Sequence, residues 1–180
     1  MLRIVESGDV RDDGWLDLDG LNELGFVHDV RNERHLLRPF DLLVTARTAS
    51  TQVALVPPEV SRTVAGVTLL VVRAKQPESG MGHWLWYCLT SSFCRTQLAK
   101  RMTVSATLKS LSAKNLGEIQ VPVPSPRDLD AVARLVEASE EAYESTIEAA
   151  RLRREALRDA VIHELAHGAV PATFGRSLWR

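Results

Sequence analysis

The sequence predicts an α+β protein in which a compact domain with a mixed β-sheet and flanking helices precedes one long C-terminal coiled-coil helix. Aliphatic and β-branched segments between residues 41 and 73 alternate with turn residues, as strands do. An aromatic-rich segment near the middle of the chain carries apolar residues at helical intervals. After Pro126 a helical pattern continues for about forty residues without glycine or proline. We therefore divide the chain into a domain at residues 1–124, a helix at 125–168 and a tail at 169–180.

Length and composition favour a folded protein with one core. A chain of 180 residues holds one domain of about 150 residues and an appendage. Hydrophobic residues make up 45% and charged residues 25%, which is typical of a globular protein. No apolar run approaches the ~20 residues of a membrane span and no signal pattern opens the chain, so we expect a cytoplasmic protein. Cys88 and Cys94 have no metal-ligand spacing, which predicts buried free thiols.

The first half of the domain is predicted to hold turns, one helix and three strands. A short helix near Asp17–Leu24 is expected to end at Gly25. Strands are expected at Asp41–Arg47 and Gln52–Val56, on either side of a polar loop. The segment Thr63–Arg73 lacks a polar face, which predicts one central strand.

The second half of the domain is predicted to be mainly helical. One helix is expected over Trp84–Arg101, with Lys100 and Arg101 in the last turn, where positive charge is favourable. A loop follows, and then a short helix around Ser112–Leu116. Ile119–Pro124 reads as an edge strand, because an edge strand tolerates proline.

The C-terminal helix has a strong start signal at Ser125, with Pro126 in the first turn and Asp128 at the third position. We expect it to run to Gly168. Its apolar residues are spaced like a coiled-coil seam: Leu129, Val132, Val136, Tyr143, Ile147, Ala150, Leu157, Val161 and Leu165. A helix of forty residues is about 60 Å long, more than a domain of this size covers. We expect a second copy of the chain, a helix of another protein, or both to bury this seam.

Charge is distributed unevenly along the chain. Residues 1–41 carry −5, residues 42–126 carry +6 and residues 127–180 carry −2, although the total is only −1. A basic middle segment in a nearly neutral chain is expected if one region faces phosphates. The charge alone is equally compatible with a mixed, solvated surface.

The order of these segments resembles the target recognition domain and spacer helix of type I restriction-modification specificity subunits. The resemblance is carried by the strand Phe40–Thr45, by an apolar strand that ends in arginine, and by the helix WYCLTSSFCRTQL. The segment LSAKNLGEIQVPVPSP and the long polar helix after it complete the order, and Thr107–Pro126 is its most specific part.

In that family the recognition domain contacts DNA, and the helices pack together and bind methyltransferase subunits. The resemblance therefore implies that this chain is the DNA-binding specificity subunit of a phage-defence methyltransferase complex. It implies no catalytic residue, cofactor or metal in the chain itself. It implies base or phosphate contacts in the positive segment and partner contacts along the helix seam. Because Arg and Gln pair bidentately with bases, the expected base-reading residues are those of one loop, namely Thr45, Arg47, Thr48, Ser50, Thr51 and Gln52. The expected phosphate contacts are Lys75, Lys100, Arg101 and Lys109.

Two departures from the family pattern affect these expectations. A full specificity subunit has two recognition domains and two helices, whereas this sequence has one of each. Antiparallel pairing of two helices would restore the missing half, which predicts a homodimer that reads a two-part palindromic site. The family's usual Gly-Asp before the strand is Phe40-Asp41 here.

Two other functions remain open from the sequence. His163-Glu164-x-x-His167 has the spacing of a zinc hydrolase, with two histidines one helical turn apart and a general base between them. Catalytic zinc needs a third ligand, and none of the residues after His167 is His, Asp or Glu. An upstream ligand would come from His28, His35 or His83. The remaining alternative is a protein–protein adapter that has lost DNA binding, which salt-sensitive binding to DNA would exclude.

Overall fold

The structure is a computed structural model that describes residues 1–11, 13–16, 18, 20–25, 30–47, 51–76, 79–104 and 109–167. These residues form eight strands, which in chain order are β1 Leu2–Val5, β2 Asn22–Leu24, β3 Leu42–Thr45, β4 Val53–Leu55, β5 Thr63–Ala65, β6 Leu69–Val72, β7 Thr103–Val104 and β8 Lys109–Ser110. The α-helices of the same residues are α1 Met81–Thr90, α2 Ser92–Arg101, α3 Ala113–Gly117 and α4 Pro126–Ala166. Short 3-10 helices lie at Ser7–Asp9 and Val30–His35.

The strands form two small three-stranded sheets and a two-stranded ribbon. In the first sheet, β1 is antiparallel to β2 and parallel to β5. In the second, β3 is antiparallel to both β4 and β6. The strands β7 and β8 form a separate antiparallel ribbon. The predicted α+β class, with a mixed sheet, is confirmed.

The strand β3 separates two apolar clusters, because alternate side chains of a strand point to opposite faces. Leu42 and Val44 pack into a cluster that includes Trp86 of α1 and Leu98 of α2. Leu43 packs into the other cluster, which belongs to the N-terminal part of the domain. All four residues of β3 are buried, so this strand is the centre of the domain.

The prediction of one central strand over Thr63–Arg73 is wrong. The segment forms β5 and β6, which belong to different sheets. The chain turns between them at Gly66, whose amide donates a 2.7 Å hydrogen bond to the carbonyl of Val5. A Cβ atom on Gly66 would lie 2.5 Å from a Glu6 carboxylate oxygen, so the glycine leaves room for this side chain. The lack of a polar face in this segment predicted one strand and gave no sign of the turn.

Two other predictions in the domain are wrong because contacts with distant segments decide the structure there. Asn22–Leu24, expected at the end of a helix, is strand β2, with Leu24 opposite Leu2. Residues 119–124, expected as an edge strand, pair with no strand among the described residues. There the side-chain amide of Gln97 takes the place of a neighbouring strand, because it bonds both the N–H and the carbonyl of Gln120 at 3.1 and 3.0 Å.

The predicted helix over Trp84–Arg101 is two helices that meet at Ser91. The amide of Ser91 bonds the Cys88 carbonyl at the end of α1, and its hydroxyl accepts a hydrogen bond from the Cys94 amide at the start of α2. Serine is favoured at such a helix start, where it satisfies a free N–H. Cys88 and Cys94 are free and buried, as predicted.

The two thiols are expected to resist modification until the domain unfolds. Burial, with a smaller contribution from the nearby Cys94, raises the pKa of the Cys88 thiol to about 11. Because the thiolate is the reactive form, the native protein should react slowly with an aromatic disulfide reagent at pH 8. Both cysteines should react at once in denaturant. Rapid release of thiol chromophore from the native protein would contradict the buried positions.

Asp41 is a buried anchor at the start of β3, and the partly buried Phe40 precedes it. Asp41 is 1% exposed, and its two carboxylate oxygens accept hydrogen bonds from Arg73 at 2.7 and 2.6 Å. This hydrogen bond raises the pKa of Arg73. Phe40 has a positive φ of 65°, a conformation that favours glycine. The family pattern Gly-Asp at this place therefore has a physical reason, and Phe40 departs from it at a cost in backbone energy.

The helix α4 contains 41 residues and begins where the sequence predicted. The Ser125 hydroxyl donates to the Asp128 carboxylate at 2.6 Å, and the Ser125 carbonyl accepts from the Asp128 amide at 2.9 Å. The expected end at Gly168 lies outside the described residues. The chain divides into two compact units, Met1–Glu137 and Ala138–Arg180, so the first three turns of α4 belong to the domain. Among the described residues, no helix combines the length and apolarity needed to cross a bilayer.

Candidate nucleic-acid interface

The loop between β3 and β4 is held against the β7–β8 ribbon at both of its ends. At the first end, Arg47 forms an antiparallel bridge with Ser110, and the Ala46 carbonyl accepts the Leu111 amide at 2.8 Å. At the other end, the Thr51 hydroxyl lies 3.5 Å from the sulfur of Met102, which precedes β7. Non-local contacts therefore place the predicted loop beside a second element that carries polar residues.

The predicted base-reading residues differ in how accessible they are. Arg47 is exposed, whereas Thr51 and Gln52 are half-buried. Thr45 is fully buried, and its hydroxyl accepts the Gln52 amide at 2.8 Å. Thr45 therefore closes the base of the loop and does not face a ligand. Two further predicted residues, Thr48 and Ser50, lie outside the described residues.

Five basic residues, here called the basic face, lie in or near the segments that contact the two ends of this loop, namely Arg47, Lys100, Arg101, Lys109 and Lys114. Lys109 lies in β8 next to the bridge with Arg47, and Arg101 ends the helix that leads into β7. Lys114 is exposed on α3, and its neighbour Asn115 donates a 2.7 Å hydrogen bond to the Arg101 carbonyl. Residues 79–117 contain five basic residues and no acidic one. The sequence prediction missed Lys114, although this absence of acids pointed to it.

Arg101 is the least available member of the basic face. Its guanidinium is half-buried, and Nε lies 3.8 Å from a Glu118 carboxylate oxygen, too far for a direct hydrogen bond. Lys100, Lys109 and Lys114 are exposed and extend over the surface. These three lysines are therefore better placed than Arg101 to meet phosphates.

Lys75 lies away from the basic face. In the antiparallel pair of β3 and β6, Thr45 is opposite Leu69 and Leu42 is opposite Val72. Arg47 follows the Thr45 end of the sheet, and Lys75 follows the Val72 end. The two ends are about 10 Å apart at ~3.3 Å per residue. The structure therefore does not bring Lys75 together with the other predicted phosphate contacts.

The predicted seam of α4 divides into a buried and an exposed part. Leu129 and Val136 are 5% and 4% exposed, and Val132 packs against the same core. These three residues therefore pack against the core of the domain. The other six seam residues are exposed, namely Tyr143, Ile147, Ala150, Leu157, Val161 and Leu165.

A contact between His83 and Glu137 joins α1 to the start of α4. His83 Nε2 lies 3.1 Å from a Glu137 carboxylate oxygen, and the imidazole packs on Phe40 at a ring distance of 4.9 Å. Burial lowers the pKa of His83, and Glu137 opposes this only in part. The buried imidazole is therefore held mainly in its neutral form.

Stability is expected to fall as the pH drops below about 6.5, the usual pKa of histidine in an unfolded chain. Because the folded state has the lower pKa, the unfolded state takes up the proton first, and the loss continues down to the folded pKa. The midpoint of urea unfolding should therefore fall more between pH 7.5 and 5.5 in the wild type than in His83→Gln. Equal pH dependence of the two proteins would contradict this role of His83.

The two histidines of the zinc-like motif are adjacent but isolated from other ligands. The rings of His163 and His167 are 4.6 Å apart on α4, and both residues are exposed. Within the described part of the chain, no three His, Cys, Asp or Glu side chains are grouped to hold a metal ion. Of the predicted third ligands, His83 pairs with Glu137, His35 accepts a 3.1 Å hydrogen bond from Arg34, and His28 lies outside the described residues.

The fold is shared with part of a known protein. The chain matches the crystal structure of an HsdS subunit from Thermoanaerobacter tengcongensis with a TM-score of 0.60 and 20% sequence identity. The match covers 97% of this chain and 45% of that subunit, so the chain spans less than half of the subunit's length. The sequence matches no protein-family model and no curated protein. HsdS is the type I specificity subunit, so the resemblance in fold expected from the sequence is confirmed.

Proposed function

We propose that this chain is a DNA specificity subunit of a type I-like restriction-modification system or a related phage-defence methyltransferase complex. It supplies sequence recognition in the cytoplasm, and partner subunits supply methyl transfer. The observation that carries this proposal is the shared fold with about half of an HsdS subunit over 97% of the chain. The basic face on the same domain supports it, because DNA binding draws most of its affinity from phosphate contacts.

Within the basic face, the lysines contact phosphates and Arg47 contacts bases. Lys100, Lys109 and Lys114 carry exposed point charges that fix the position of the domain on the phosphate backbone. Arg47 lies beside β8 at the start of the loop, and its guanidinium pairs bidentately with the O6 and N7 atoms of guanine. Affinity and base preference therefore depend on different side chains, and separate substitutions can test them.

Assembly is assigned to the exposed part of α4. Glu137, Glu140, Glu141, Glu144 and Glu148 form an acidic stretch without a basic residue, and Arg151, Arg153, Arg154 and Arg158 follow it. An antiparallel pair of these helices places each acidic stretch beside the partner's basic stretch, whereas a parallel pair places like charges together. A second copy bound this way covers the seam and supplies the second recognition domain. A methyltransferase subunit then binds the paired helices.

The proposal is tested by the methylation pattern of the native genome with and without this chain. Deletion should abolish methylation at one two-part palindromic motif, and expression of the chain from a plasmid should restore it. An unchanged methylation pattern would contradict the proposed function.

Charge removal on the basic face is expected to weaken binding to every duplex sequence. Lys100→Gln and Lys114→Gln should each reduce the slope of log affinity against log salt by about 1, because each removes one phosphate contact. A fluorescent 30-base-pair duplex of random sequence, titrated at several salt concentrations, measures this slope. Lys75→Gln is the matched control and should leave the slope unchanged, because Lys75 lies at the other end of the sheet. An equal effect of all three substitutions would show that the basic face is not the DNA-binding surface.

A further inference from the structure

Three polar side chains form a row across the β7–β8 ribbon and the adjoining loop. Thr103 of β7 is directly opposite Ser110 of β8, and Ser110 is in turn bridged to Arg47. Residues directly opposite each other in paired strands share one face. Arg47, Ser110 and Thr103 therefore lie side by side on one face of the ribbon.

The other face of the ribbon has a different character. Val104 is directly opposite Lys109, and Val104 is 71% exposed. Thr103, Lys109 and Arg47 are exposed as well, and Ser110 is half-buried. One face of the ribbon thus carries only the polar side chains of the row. The other face carries the apolar Val104 and the positively charged Lys109.

We propose that Arg47, Ser110 and Thr103 are the base-reading row of this protein and that the ribbon enters the major groove of the duplex. This inference rests on the proposed function and specifies the surface that carries it out. Neighbouring strands lie about 4.8 Å apart, so the row is about 10 Å long and lies along the groove. The major groove is about 12 Å wide and admits a two-stranded ribbon, whereas the minor groove, at about 6 Å, excludes it.

The side chains of the row match the edges of base pairs better than they match phosphates. Arg47 supplies donors in a fixed fork for guanine. The hydroxyls of Ser110 and Thr103 each donate and accept, so they serve any base edge but add no charge for a phosphate. Base pairs are stacked about 3.4 Å apart, so a row of this length along the groove reaches about three of them. The row thus reads one guanine and one or two adjacent base pairs.

The test is selection of duplexes by the full-length chain from a 40-base-pair pool whose central 20 positions are random. Wild type should enrich a motif that contains guanine. Arg47→Gln should lose preference at that guanine by about 10-fold or more, and Thr103→Val and Ser110→Ala should lose it at adjacent positions by about 5-fold. Val104→Ala is the control on the opposite face, and it should retain the wild-type motif. Thermal unfolding of each variant establishes that it folds.

The groove is identified with 7-deazaguanine, which lacks the N7 acceptor of the major groove. Placed in the selected motif, it should weaken binding by wild type about 10-fold and leave binding by Arg47→Gln unchanged. If folded row variants select the wild-type motif, or 7-deazaguanine has no effect on wild type, the row is not the reader although the proposed function stands. If wild type enriches no sequence and binds no duplex, the proposed function and the row both fail.

Discussion

Arg73→Met is expected to reduce the free energy of unfolding by about 3–5 kcal/mol, the usual cost of leaving a buried charge without its partner. The carboxylate of Asp41 is 1% exposed, and both of its oxygens are bonded to Arg73. Without the guanidinium, the carboxylate keeps the 2.8 Å hydrogen bond from the Arg38 amide. The Leu36 carbonyl also loses its 2.8 Å bond from Arg73. Urea unfolding followed by tryptophan fluorescence measures the change.

Lys75→Met is the matched control for this substitution. It too replaces a basic residue by methionine, but Lys75 is exposed, so stability should change by less than about 0.5 kcal/mol. Adding Asp41→Asn to Arg73→Met should recover part of the loss, because the unpaired buried charge is removed. A loss below about 1 kcal/mol for Arg73→Met would mean that the ion pair does not anchor β3.

Ile147→Glu combined with Leu157→Glu is expected to convert a dimer of this protein into a monomer. Both side chains belong to the exposed seam of α4, at 47% and 65% exposure. Burial of an apolar side chain is worth about 1.5 kcal/mol or more, and the pair of helices would bury four of these side chains. At 1.4 kcal/mol for each factor of ten, the dissociation constant should rise more than about a thousandfold. Sedimentation velocity over a range of protein concentrations measures it.

Leu152→Glu combined with Ile162→Glu makes the same chemical change outside the seam. These residues are 52% and 67% exposed on the same helix, and their positions in the helical repeat lie away from Ile147 and Leu157. The control protein should remain dimeric. Dissociation by both pairs of substitutions would exclude the seam as the specific contact. A wild-type protein that sediments as a monomer, alone and with its methyltransferase, would remove the dimer from the proposal.

Local signals in the sequence were sufficient for several elements of the fold. Ser125 and Pro126 predicted the start of α4. The strands β3 and β4 were predicted because they are aliphatic segments that end at turn residues. The split of Thr63–Arg73 was missed because strand assignment there depends on which sheet accepts each half. The pairing of β2 with β1 is also decided by contacts between distant segments, which override local preference.

In the candidate site, too, the sequence predicted residues that depend on local signals and missed residues that depend on contacts between distant segments. Arg47 and Lys100 were assigned to the candidate site from the sequence, because residue type and position in a loop or at a helix end are visible there. Thr103 and Ser110 were missed because their place beside Arg47 depends on the register of two strands and a bridge from a loop more than fifty residues away. Thr45 was assigned to the site because it is a polar residue at the end of a predicted strand. Its burial depends on the packing around β3, which the sequence does not show.

The contact between Glu137 and His83 has a thermodynamic consequence. Glu137 lies on α4 where the domain ends, His83 packs on Phe40, and Phe40 precedes the strand that leads to Arg47. A few consecutive neighbours thus connect the first turns of the helix to the loop proposed to meet DNA. If occupancy of the helix shifts this chain of contacts, duplex affinity changes, and by reciprocity a bound duplex changes the affinity of the helix for its occupant by the same factor.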